Sequence, residues 1–140
     1  MKTIATLGPQ GSHALQAARH YNPDAEIKLY PLIPAALDSL KKGEADQALI
    51  PVYNTREGEI KESFRLMTRM NGVSWVDNVV LPIRLSLGSL DAESPVQMLI
   101  GRASDLRQCE EYIAARFPYI SQMAVRDPLG RAADGPRRGR

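Results

Sequence analysis

One cysteine, two histidines, one tryptophan and two phenylalanines in 140 residues leave several kinds of protein out. Cys109, standing alone, makes no internal disulfide and no cysteine-cluster metal site. Neither His13 nor His20 has a partner at metal-ligand spacing, so no metal is expected. No apolar run approaches the length of a membrane span. Met1-Lys2 leads directly into a strand-like stretch with no signal peptide before it, so a cytoplasmic chain with no membrane partner is expected. An excess of one charge is missing as well. The net charge is +2. Five arginines against two aspartates give residues 126–140 a charge of +3, which leaves −1 on the first 125 residues. That basic end has no interleaved aromatics, so it reads as a disordered, solvated tail and not as a nucleic-acid surface.

What is present suits a packed core: 44% hydrophobic and 24% charged residues, in a length that makes one modest domain or two small lobes. The periodicities predict strands at Thr3–Leu7, Glu26–Tyr30 and Ala48–Ile50. They predict helices at His13–Tyr21, from Pro34 to about Lys42, and from Glu59 to about Met70. The last of these carries a buried stripe of Ile60, Phe64, Met67 and Met70. Val73–Leu87 is β-rich with Pro82 in its middle, and predicts two strands or one bent one. A strand at Val96–Ile100, a helix from a Ser104 cap to Arg116 and a strand within Ile120–Val125 follow. The stripe of that helix is Leu106, Cys109, Ile113 and Phe117, which makes Cys109 a core residue and not a nucleophile. Strands alternating with helices predict an α/β fold with a largely parallel sheet and flanking helices. The expected division is a first lobe over 1–80, a partial second lobe over 81–125 and the tail over 126–140.

Ligands of such sheets bind beyond the carboxyl ends of the strands. Two polar loops sit there. Gly8-Pro9-Gln10-Gly11-Ser12 joins a strand to a helix. Its glycines allow close backbone approach, and the helix start offers N–H groups to a carboxylate or phosphate. Ser12 can cap the helix or donate to an anion, and an ordinary capped turn is the competing reading. The missing lysine excludes a Walker phosphate loop. In Pro51-Val52-Tyr53-Asn54-Thr55-Arg56-Glu57-Gly58, Asn54 and Thr55 offer donors and acceptors, Arg56 can clamp a carboxylate, and Gly58 permits a sharp entry to the next helix. The competing reading is a solvated loop in which Thr55 or Glu57 caps that helix.

Together the loops resemble a known family. "TLGPQGS…QAA" is similar to the opening T-x-G-P-x-G-T-[FY]-S…AA of prephenate dehydratases. "GEADQALIPVYNTREGEIKESFRLM" resembles their G-x-x-D-x-x-x-[IV]-P-[IV]-E-N-[ST]-x-x-G-x-V-x-x-x-x-D-x-L segment. "VVLPIRLSLGS" and "GRASDLRQCEEYI" resemble the strand that crosses to the family's second lobe and a helix there. The resemblance covers roughly Thr3 to Val125. It implies two α/β lobes like those of a periplasmic binding protein and conversion of prephenate to phenylpyruvate with loss of water and carbon dioxide. It implies no cofactor, a small dicarboxylate substrate and a homodimer. Pro9, Gly11 and Ser12 take the first-loop positions, and Asn54 and Thr55 those of the second. The departures are Tyr53 for a glutamate, His13-Ala14 for an aromatic–serine pair, Arg102-Ala103 for His-Pro, and the lack of a Thr-Arg-[Phe/Tyr] triplet. Tyr53 and Thr55 are left as candidate catalytic hydroxyls. Three explanations stand side by side: a truncated chain with a curtailed second lobe, a shortened paralogue such as a prephenate decarboxylase of a secondary-metabolite pathway, and a binding module without catalysis.

Overall fold

The computed structural model describes residues 1–126 and divides the chain into two compact units, Met1–Ile83 and a second that begins at Arg84. Both are built on parallel strands with flanking helices, so the fold is α/β.

In the first unit, β1 (Thr3–Leu7) is short and apolar, and α1 (His13–Tyr21) follows after one turn. β2 (Glu26–Tyr30) returns parallel to β1 in a five-residue register, Thr3 opposite Glu26 through Leu7 opposite Tyr30. α2 (Ile33–Lys41) crosses back, with Pro34 in its first turn, and β3 (Gln47–Ala48) pairs parallel on the other side of β1. The order is β2-β1-β3. β1 is buried on both sides, as the central strand of a parallel sheet must be. On one face Ala5 packs with Ala36 of α2 and with Ala45, flanked by Tyr30, Ala48 and Ile50. Small side chains there let the helix lie close to the sheet. Ile4 and Thr6 alternate to the other face, that of α1, whose Leu15, Ala17 and Ala18 are buried. A two-residue hairpin pair, β4 (Tyr53–Asn54) and β5 (Gly58–Glu59), precedes α3 (Lys61–Met67).

The second unit has β6 (Met98–Gly101), α4 (Ala103–Gln108), α5 (Glu110–Arg116) and β7 (Ser121–Ala124). β6 and β7 pair in parallel, Met98 opposite Ser121 through Gly101 opposite Ala124. Among its described residues the buried apolar side chains are Leu99 and Ile113.

Several expectations need correction. Val73–Leu87 forms no strand: its alternation meets no partner strand among the described residues, and Trp75, Val76, Val80 and Leu87 lie exposed. The helix expected over 59–70 is shorter, because Glu59 is taken by the hairpin and Thr68 is its C-cap. Its fully buried residue is Ser63, while Ile60, Phe64, Met67 and Met70 are half-buried. The single helix expected up to Arg116 is divided at Cys109, whose backbone sits at φ −97°, ψ 6°. Arg102, not Ser104, holds the N-cap position of α4, and Cys109 is half-buried. The third strand is Gln47–Ala48 and not Ala48–Ile50, although the Leu49 N–H still reaches the Ala5 carbonyl at 2.9 Å. Apart from the exposed Arg126, the tail lies outside the described residues.

Candidate functional site

The chain leaves β1 toward β2 on one side and later returns to β3 on the other, so strand order reverses between β1 and β3. A crevice opens beyond the carboxyl ends of strands at such a reversal. The two loops singled out in the sequence leave from these two strands. They are held together at the roots: the buried Thr6 hydroxyl donates to the Leu49 carbonyl at 2.7 Å, beside the Leu49–Ala5 backbone bond.

The first loop is built around its own hydrogen bonds. The Gly8–Pro9 peptide is cis. The Gly8 N–H donates to the Tyr30 carbonyl at 2.9 Å, and the Ser12 N–H to that of Pro9 at 3.1 Å. The Ser12 side chain caps α1 by accepting from the Leu15 N–H at 3.1 Å, and donates its proton to the Leu7 carbonyl at 2.8 Å. That hydroxyl thus closes the turn, and the donors left at the helix start are the first-turn N–H groups of His13 and Ala14, which have no intrahelical acceptor. Gly11 has φ +81°, and a Cβ there would meet nothing within 4 Å. The backbone is open to a ligand on that side. Pro9, Gln10 and Gly11 are exposed.

The second loop is the β4–β5 hairpin. Asn54 shapes it: Oδ1 accepts from the N–H groups of Arg56 at 3.0 Å and Glu57 at 2.7 Å, and Nδ2 donates to Glu57 Oε2 at 3.4 Å. This is an Asx turn, in which the side chain mimics a backbone turn. Gly58, opposite Asn54 in the pair, has φ +79° and completes the hairpin; it does not open the helix. Neither Thr55 nor Glu57 caps α3, whose N-cap is Ile60 with no side-chain cap bond. Tyr53 is 61% exposed, and Thr55 and Arg56 are exposed at the tip. Ser63, fully buried on α3, donates to the Pro51 carbonyl at 2.6 Å, and the Ile60 N–H to that of Val52 at 2.9 Å. These bonds fix both the entrance and the exit of the hairpin.

The structure therefore places Pro9, Gly11, Ser12 and Tyr53, Asn54, Thr55, Arg56 on two loops rooted at one sheet edge. Thr6 and Ser63, which hold those loops, were not singled out in the sequence. The readable signal was a hydroxyl inside an apolar strand and another beside an apolar helical stripe. Among the described residues no group of three or more His, Cys, Asp or Glu is placed to hold a metal ion, and no helix is long and apolar enough to cross a membrane.

Comparison with known proteins agrees with this architecture. The prephenate dehydratase family model matches residues 4–135. A prephenate dehydratase of Lactococcus lactis subsp. cremoris is 27% identical over 131 residues, which are 94% of this chain and 47% of that protein. A bifunctional chorismate mutase/prephenate dehydratase of Neisseria gonorrhoeae is 30% identical over 129 residues, 88% of this chain and 34% of that one. The chain thus spans less than half the length of these curated relatives. In fold it is similar to the prephenate dehydratase of Arthrobacter aurescens, solved in complex with L-Phe, with a TM-score of 0.75 at 20% identity, covering 94% of this chain and 44% of that one.

Proposed function

Because the chain belongs to the prephenate dehydratase family, we propose that its loop pair binds prephenate, or a closely related carboxylate, and turns it over as a dehydratase. The observation that carries this is the departure of both loops from strands that flank the β1/β3 reversal, the first with the open Gly11 backbone and the α1 start, the second with the Asn54 hairpin. A carboxylate suits the first-turn N–H groups of His13 and Ala14, where the helix end is partially positive. Arg56, at the exposed hairpin tip, supplies a fork for a second carboxylate.

In the reaction the ring carboxylate leaves as carbon dioxide. Its electron pair closes the aromatic ring and expels the ring hydroxyl, which takes a proton and departs as water. The step needs a proton donor near that hydroxyl, and the exposed hydroxyls of Tyr53 and Thr55 are the candidates. No cofactor enters this chemistry. A cytoplasmic location and a homodimer belong to the same reading, and sedimentation of the purified chain tests the second.

Incubation of the folded chain with prephenate, with products read by mass and ultraviolet absorbance, is the test. Phenylpyruvate above the spontaneous rate supports the dehydratase. A decarboxylated product that keeps its hydroxyl identifies a decarboxylase instead. Saturable binding without turnover leaves a binding module, and the absence of both binding and turnover overturns the proposal.

A further inference from the structure

A hollow of about 330 Å³ opens on the α1 face of the first unit, between that helix and the edge strand β2. Its walls are Leu15 of α1, Ala25, and Ile27 and Leu29 of β2. Ile27 and Leu29 stand opposite Ile4 and Thr6 in the parallel register, so their side chains share the face that α1 covers. The helix covers it incompletely: Leu15 is buried, whereas Ile27 and Leu29 remain half-buried. Two polar side chains line the same hollow, Arg19 from the second half of α1 and Gln10 from the first loop. The Arg19 guanidinium makes no ion pair or hydrogen bond with any described residue.

We propose that this hollow is a second small-molecule site and that it takes a monocarboxylate with a short apolar tail. Its volume lies at the lower end of the roughly 300–1,000 Å³ of small-molecule sites, which pair apolar walls with a few polar groups. The tail removes the exposed faces of Ile27 and Leu29 from water, and the head meets a guanidinium that has no other partner. Arg19 is donor-only and positively charged, and the Gln10 amide can turn its NH2 toward the same ligand, so the pair suits a carboxylate and the guanidinium repels a cation. The site is independent of the loop pair in its principal anchor, since Arg19 lies outside both loops.

The test is titration of the isotopically labelled full chain with hexanoate, with hexan-1-ol and hexylamine as controls, followed by amide chemical shifts. Hexanoate is expected to move the amides of Leu15–Arg19 and Ala25–Leu29. Hexanol, lacking the charge, is expected to bind about tenfold more weakly, as is hexanoate to Arg19→Gln, since one charge-assisted pair is lost in each case. Ala25→Leu, which fills the wall, is expected to abolish the response while leaving the fold intact. Equal binding of hexanol and hexanoate, or of the wild type and Arg19→Gln, overturns the carboxylate assignment. Shifts confined to residues 8–12 and 51–58 would place the ligand in the loop pair and also overturn it. So would no shift up to roughly 10 mM, ten times a 1 mM Kd. Prephenate binding that survives Arg19→Gln keeps the two sites distinct.

Discussion

Asn54 carries two roles that a single letter cannot separate: it holds the hairpin through three hydrogen bonds, and it occupies a position expected to face the ligand. Two substitutions separate them. Asn54→Asp keeps the Oδ1 acceptor for the Arg56 and Glu57 N–H groups and loses the Nδ2 donor. Asn54→Ala loses both. If Asn54 donates to the substrate, both variants lose prephenate binding, while Asn54→Ala loosens the hairpin more, at about 1 kcal/mol for each bond to Oδ1 that is lost, since Asn54→Asp gives up only the 3.4 Å bond to Glu57. Binding that survives in Asn54→Asp would make the residue a turn-holder alone. Gly11 allows a similar separation. At φ +81° a β-branched residue is strained, and Gly11→Val is expected to cost about 1–2 kcal/mol through the backbone, since its Cβ meets nothing. Gly11→Asn tolerates that φ, so its melting temperature should stay near the wild-type value. Loss of binding in Gly11→Asn, read by calorimetry, would show that the ligand needs the open backbone; unchanged affinity would leave Gly8–Ser12 as a turn.

α3 and the hairpin before it are joined by the buried Ser63 hydroxyl on the Pro51 carbonyl. Ser63→Ala leaves that carbonyl without its partner, at a cost of about 1–3 kcal/mol. Its signature is faster amide exchange at Ile60 and in the Tyr53–Glu59 pair, with β1 and β2 unchanged; uniform loss of protection would show that the bond serves the whole unit. This element is also where sequence and structure part most instructively. β1, α1, β2 and α2 were legible because β1 is a continuous buried apolar run and β2 and the two helices each turn an apolar face inward, so burial and period coincide. The hairpin was not, although Asn54, Gly58 and the four-residue reach between them carry an Asx-turn pattern, because two two-residue strands leave no alternation to read. Val73–Leu87 failed in the opposite direction. Its alternation is real, but a strand needs a neighbour, and a pattern within one segment says nothing about whether one is present. The positions of both loops at the sheet edge were legible from strand order. The commitment of the Ser12 proton to Leu7 was not, because hydroxyl direction depends on a carbonyl five residues earlier.

Among the described residues the two units differ in how much they bury. The first encloses Ile4, Ala5, Leu15, Ala17, Ala18, Ile33, Ala36, Leu37 and Ala45, whereas the second buries Leu99 and Ile113. A two-stranded parallel sheet with so few buried side chains is marginal, because parallel strands are stable when both faces are covered. Met98 and Ile100 alternate with Leu99 and are nearly half exposed. The expected consequence is a chain that opens in two stages. In native-state hydrogen exchange, the amides of Leu99–Gly101 should open at a lower free energy than those of Ile4–Thr6. Leu99→Ala, typically about 2–5 kcal/mol in a core, should remove protection from β6 and β7 while leaving β1 as it was. A saturating ligand at the loop pair should raise protection in β1 by about 2.7 kcal/mol at one hundred times its Kd, the increment set by mass action. If Leu99→Ala lowered protection at Ala5 as much as at Ile100, the chain would unfold as a single cooperative body, and the stability of the loop pair would depend on residues far along the sequence from it.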